Sequence, residues 1–216
     1  MEHYNAAIIP IEPRQQLSKN KDKQDVDPTK YMRLIESLRY LCNTRPNLAF
    51  SVGVVSRFTG TPKVSHLTGV KRILRYVKCF VDCGILFPGM NTGRICNLLY
   101  FIDFNWCGDK DYRKSTAGYI FMFGGKRVSW CSNKESVVAL SSCEAQYISA
   151  LLCACQVVWL MNLLEELGIN EGEVVTLLVD NAYTVNLAKN PIAHGRSKHI
   201  EMRFHYLREL ISEGRL

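Results

Sequence analysis

Asp103 and Asp180 each close a strand-like apolar run, Cys96 to Asp103 and Val174 to Asp180, and Gln146 sits on the long helical segment between them. Carboxylates at strand ends are raw material for an Mg²⁺ site, because this hard cation takes oxygen ligands and favours anionic ones. A cation held there could polarise a bound water. Gln146 offers an oxygen without a charge. Glu144 does not replace it, since two residues along a helix turn a side chain by about 200° onto another face. Asp103 and Asp180 are thus the candidate catalytic and metal-binding residues. Two readings stand for them: a weak residual cation site, or strand-end residues that are simply solvated.

The elements that must position these residues fall into three zones. Residues 1–27 read as a polar extended arm, with Pro10, Pro13 and a lysine-rich run from Lys19 to Lys23, and little order is expected of it. Residues 28–82 read as helical. Asp27-Pro28-Thr29 is an N-terminal signal, and Tyr31, Leu34, Ile35, Leu38 and Leu41 recur at helical spacing until Arg45-Pro46 breaks the run. Helices follow over about 47–58 and about 64–80, the second with Leu67, Val70, Ile73, Leu74 and Val77 on one face.

Residues 83–216 change period. Ile85 to Phe87 and Cys96 to Asp103 are short apolar runs, and Thr116 to Phe123 with Lys126 to Ser132 form a hairpin around Gly124-Gly125, whose turn wants positive φ. A long helix starts at Ser141 or Ser142, where Ser141 and Glu144 are spaced as a capping box, and stops near Gly168. The strand to Asp180, a short helix to about Lys189, a polar loop and a last helix over about 198–212 complete the pattern. The fold class expected is α+β.

Composition bounds the function. With 216 residues and 47% hydrophobic side chains the chain can bury a core. A formal charge of +7 permits contact with a polyanion but does not demand one. Nine cysteines occur without a CxxC pair, which favours a reducing compartment over a disulfide framework. The first residues lack a basic, apolar signal-peptide pattern, and no later stretch reads as long enough to span a bilayer, so an intracellular protein without a membrane partner is expected.

Several longer runs carry a resemblance. Tyr31-Met32-Arg33-Leu34-Ile35-Glu36-Ser37-Leu38-Arg39-Tyr40-Leu41, Thr44-Arg45-Pro46-Asn47-Leu48-Ala49-Phe50, Arg113-Lys114-Ser115-Thr116-Ala117-Gly118-Tyr119, Ala139-Leu140-Ser141-Ser142-Cys143-Glu144-Ala145-Gln146-Tyr147, Val179-Asp180-Asn181 and Lys198-His199-Ile200 resemble the C-terminal part of the polyprotein of copia-type retrotransposons. The resemblance implies a reverse transcriptase connection over residues 28–82 and a truncated ribonuclease H-like domain over 83–216, with antiparallel hairpin strands, a central strand and flanking helices. Met1 then falls on an internal methionine of the family, and the polymerase domain lies upstream.

That likeness also implies the roles. Ribonuclease H chemistry uses two Mg²⁺ ions about 4 Å apart, held by four carboxylates. Asp103 and Asp180 match two of them. Gln146 stands where the pattern Ala-Glu-Tyr has its glutamate ligand, and the fourth carboxylate would follow a strand beyond Leu216. Asn105 replaces an aspartate that is not a core ligand, and Glu201 reads as a solvated helix residue. The expectation is an inactive, vestigial site. No cofactor is expected, save Mg²⁺ if nuclease activity survives, and the partner would be an RNA–DNA hybrid or other nucleic acid.

Basic pairs at Arg113-Lys114, Lys126-Arg127 and Arg196 to Lys198, with His194 and His199, are candidate phosphate contacts or plain surface. A separate motif, Arg72-Ile73-Leu74-Arg75, matches the RxLR tetrapeptide of oomycete secreted effectors. By that likeness the alternative is a protein secreted and delivered into a host plant cell, where it binds a host protein and suppresses cell death or defence. No acidic Glu-Glu-Arg run follows the tetrapeptide: Glu165-Glu166 precedes Leu167.

Overall fold

Asp27 opens the first helix, its carboxylate accepting from the Thr29 amide at 2.9 Å, with Pro28 at the first helical position. The computed structural model describes residues 5–12, 17–19, 24–86, 98–168, 176–178, 185 and 201–214, giving the backbone alone at 98, 103–104, 176–178 and 201–204. These residues build five α-helices and a four-stranded sheet, an α+β architecture. Contacts divide the chain into two units, Met1–Leu86 with Cys107–Lys114 and Ser132–Lys134, and Phe87–Trp106 with Ser115–Cys131 and Glu135–Leu216.

The first unit is built on α1 (Pro28–Cys42), α2 (Ala49–Val55) and α3 (Val64–Cys79), with 3₁₀ turns on either side of α2. Tyr31, Ile35 and Leu38 of α1 meet Leu48, Val52 and Val55, and Val70 and Ile73 of α3 complete the core. Tyr31 is fully buried, and its hydroxyl donates to Val55 O at 2.8 Å, so the polar tip is satisfied. Arg45 has a structural role: its guanidinium donates to Phe80 O at 2.7 Å and to Val81 O at 3.0 Å, where α3 leaves carbonyls without helical partners. Asn47 adds a 2.6 Å bond to the Tyr76 hydroxyl. The Thr-Arg-Pro-Asn run is thus a corner that locks α1 to the end of α3.

The arm carries more order than its composition predicts. Ala7 is buried in the helical core and Leu17 and Val26 pack against it. Arg72 pairs with Glu12 at 2.7 Å and donates to Ile9 O, while Lys63 pairs with Asp25 across a short backbone bridge. His66 is buried, accepting from the Lys63 amide at Nδ1 and meeting Ser18 O through Nε2, which fixes a neutral ring protonated at Nε2. A few apolar residues, supplied at the right places, anchor a polar segment.

The second unit centres on β1 (Leu98–Asn105), β2 (Thr116–Phe123), β3 (Lys126–Lys134, of which Ser132–Lys134 count with the first unit) and β4 (Thr176–Leu178), in the order β3-β2-β1-β4. β1 pairs antiparallel with β2, from Leu98 opposite Phe123 to Asn105 opposite Thr116. β4 lies parallel to β1, with Leu99 opposite Thr176 and Phe101 opposite Leu178. The hairpin turn is as expected: Gly124 and Gly125 have φ of 56° and 76°. Ile85 and Leu86, expected to open a strand, are not in one, and Leu86 is largely exposed. An apolar pair without a neighbouring strand has no ladder to join.

α4 (Ser142–Glu166) packs on β1 and β2, and α5 (Glu201–Ser212) packs on α4, burying Tyr100, Phe121, Tyr147, Val157, Leu207 and Leu210 together. The last helix, expected over about 198–212, is seen over Glu201–Ser212, and residues 198–200 lie outside the described residues. Ser141 caps α4 by accepting from the Glu144 amide at 3.1 Å, and the Glu144 carboxylate reaches back to the Leu140 amide at 2.8 Å, one residue beyond the usual box partner. Gly168, at φ 70°, ends it. The reading that no segment suits a bilayer is overturned here, since α4 is long and apolar enough to cross one by length and composition. Its apolar length instead serves a core: from Ala145 to Leu151 every residue is buried.

Candidate functional site

Asp103 lies on β1 with its backbone opposite Gly118 of β2. β4 runs alongside β1, and Asp180 lies outside the described residues, as do His194, His199 and Arg196 to Lys198. Gln146, on the second turn of α4, is 0% exposed. Ala145, Tyr147 and Ser149 around it are equally enclosed, because α4 is covered on all sides along this stretch. Asn105 is exposed at the end of β1, and Glu201 starts α5. Among the described residues no three His, Cys, Asp or Glu side chains are grouped to hold a metal ion. A buried neutral amide brings no charge to offset that of a dication.

A buried carboxylate that the sequence reading passed over lies near this helix. Glu135 follows β3 and is 3% exposed; its amide donates to Ser115 O at 2.9 Å. Its Oε1 is 3.2 Å from the Ser149 hydroxyl, one helical turn after Gln146, and its Oε2 is buried with no hydrogen-bond partner among the described residues. Burial pushes its carboxyl up to about 7, against the Ser149 hydrogen bond and with help from the Glu144 charge. Nothing local marks this carboxylate, since Asn133-Lys134-Glu135-Ser136 reads as an ordinary polar loop.

The first unit holds a second polar constellation. Asp109 is 7% exposed and pairs with Lys134 and, at 3.6 Å, with Arg57. Its Oδ1 accepts from the amides of Asp111 at 2.9 Å and Tyr112 at 3.1 Å, and its own carbonyl accepts from the Arg113 amide at 2.8 Å. Burial works against the charged carboxylate, but the Lys134 hydrogen bond and those amides outweigh it and hold Asp109 below its ordinary range. Cys107 and Arg113 take φ of 50° and 57°, which L-residues adopt at a cost. Tyr112 emerges 51% exposed, with Lys134 Nζ 4.2 Å and Lys19 Nζ 5.0 Å from its ring centre and Lys19 donating to its hydroxyl at 2.8 Å. Of this group, the sequence reading singled out Arg113-Lys114 and Lys19. Asp109, Tyr112 and Lys134 it missed, although an Asp two and three residues before amides that must turn is an Asx-turn signal.

The Arg72-Ile73-Leu74-Arg75 tetrapeptide sits in α3, where Ile73 is fully buried, Leu74 packs against the core and Arg72 is tied to Glu12. Arg75 Nε is buried. In the folded chain these four residues are a piece of helix committed to its core.

No protein-family model matches the chain, and no solved structure matches it. Curated proteins do. It is 37% identical over 207 residues to the retrovirus-related Pol polyprotein from transposon RE1 of Arabidopsis thaliana, covering 96% of this chain and 14% of that protein. It is 37% identical over 197 residues to the corresponding polyprotein from transposon TNT 1-94 of Nicotiana tabacum, covering 91% and 14%. A shorter relative, secreted RxLR effector protein 161 of Plasmopara viticola, is 38% identical over 131 residues, covering 60% of this chain and 90% of that protein. The chain spans about 14% of the length of the two polyproteins. With nearly all of its length aligned to them, the chain is similar to one part of the copia-type retrotransposon Pol polyproteins.

Proposed function

We propose that this retrotransposon-derived chain carries a ribonuclease H-like domain that has lost catalysis and retains at most nucleic-acid binding. The observation that carries the reading is Gln146. It is a fully buried, neutral side chain on the helix packed against the strand of Asp103. Hydrolysis by two metals depends on anionic ligands to hold the ions close together, and activity falls steeply when one part of such a unit is removed. The test is cleavage of a labelled RNA strand in an RNA–DNA hybrid by the purified chain with 10-fold excess Mg²⁺ or Mn²⁺ over substrate phosphate (roughly millimolar). No product above a metal-chelated control is expected; metal-dependent cleavage that disappears in Asp103→Asn overturns the reading.

A second reading rests on the likeness to the secreted RxLR effector protein. On this reading the chain acts in a plant cell by binding a host protein and dampening cell death, without catalysis. Expression in leaf tissue beside a cell-death elicitor tests it. An unchanged death response in tissue that accumulates the protein sinks it.

A further inference from the structure

We infer that the Tyr112 loop is a binding platform for single-stranded nucleic acid, with Tyr112 stacking one base on the face not covered by Lys134 and with Lys19, Lys110 and Arg113 taking the flanking phosphates. The inference deepens the nucleic-acid binding proposed above and rests on that reading, but it places the contact within the first unit. Three observations converge on it. Tyr112 is a half-exposed aromatic ring whose backbone is held by Asp109, and Asp109 is itself fixed by buried ionic and amide contacts. Lys19 and Lys134 bring ammonium groups to within 5.0 Å of the ring centre, and Lys110 and Arg113 are exposed in the same loop. The loop keeps non-glycine residues at positive φ, a cost that natural folds concentrate at sites where geometry serves a purpose.

An aromatic face flanked by cations is the arrangement by which proteins grip unpaired strands: bases offer a face to stack, and phosphates offer charge. A duplex hides its base faces and presents only its backbone. An acidic peptide would satisfy the lysines but leave the ring without a partner. Lys19 Nζ uses one of its donors on the Tyr112 hydroxyl and has further donors for a phosphate oxygen.

The experiment uses the full chain with a metal chelator present and follows fluorescence anisotropy of a labelled oligothymidylate, a duplex of equal length and a polyglutamate peptide. Tighter binding to the single strand than to the other two is expected, weakening as salt rises. Tyr112→Ala should weaken single-strand binding by at least about 5-fold, and Tyr112→Phe, which keeps the ring, by less than about 2-fold. Lys19→Ala, an exposed change that leaves the core untouched, should flatten the salt dependence by roughly one phosphate contact. Undiminished binding by both Tyr112→Ala and Lys19→Ala overturns the platform while leaving nucleic-acid binding standing. Absence of binding to any nucleic acid overturns both, and polyglutamate binding equal to the single strand overturns the platform in favour of a general acidic partner.

Discussion

Replacing Glu135 by Gln should make the second unit more stable at alkaline pH and leave it nearly unchanged in mild acid. The carboxyl rises from an ordinary 4.5 to about 7 in the folded chain because it is buried. A shift of that size corresponds to about 3 kcal/mol at about 1.4 kcal/mol per unit. The Ser149 hydroxyl has a single proton and lies 3.0 Å from Ala145 O as well as 3.2 Å from Glu135. A proton on Glu135 lets Ser149 accept from the carboxyl while donating to Ala145, so both contacts are satisfied at once. Burial, which outweighs the Ser149 hydrogen bond, thus makes the folded state hold this proton more tightly than the unfolded state. Its contribution is present in full below about pH 4.5, erodes as the pH rises, and is lost once the pH passes about 7. Gln keeps the acceptor oxygen and carries no charge.

Urea unfolding followed by tryptophan fluorescence isolates this effect, because Trp106, Trp130 and Trp159 all lie in the second unit. Between pH 5 and pH 8 the parent chain should lose about 2 to 3 kcal/mol more than Glu135→Gln does, and at pH 8 the variant should be the more stable. Titrations elsewhere are common to both chains and cancel in the difference. Parallel stability curves for the two proteins would refute the assignment of a buried, proton-bearing Glu135.

Two further changes address the helical unit. Arg45→Ala removes both guanidinium bonds to the end of α3 and should cost about 2 kcal/mol, read as faster amide exchange in residues 76–82; unchanged exchange would show that the corner does not hold α3. Ile73→Ala should cost about 2 to 4 kcal/mol of thermal stability by circular dichroism, because the side chain is fully buried, whereas Arg72→Ala, which loses one partly exposed ion pair, should cost under about 1 kcal/mol. Equal small losses at both positions would mean that the tetrapeptide is not part of the core.

Much of the scaffold was legible in the residues. The Asp27-Pro28 start, the apolar spacing of α1 and α3, the Gly124-Gly125 turn and the Ser141 cap are local devices whose physics acts within a few residues, so each lands where expected. The arm and the loop after β1 were not legible. Their order depends on partners far along the chain: Ala7 and Leu17 on the helical core, Lys19 on Tyr112, and Asp109 on Arg57 and Lys134.

The same division applies to the candidate site. That a neutral glutamine occupies the helix position was settled by residue identity alone, since charge is a property of the side chain, whereas β1 runs past Asp103 to Asn105. How deeply Gln146 is enclosed, that Glu135 shares its helix face through Ser149, and that Tyr112 is held open between two lysines were decided only by tertiary structure. Burial and proton affinity belong to the environment that distant segments build, and no local pattern encodes which segments those are.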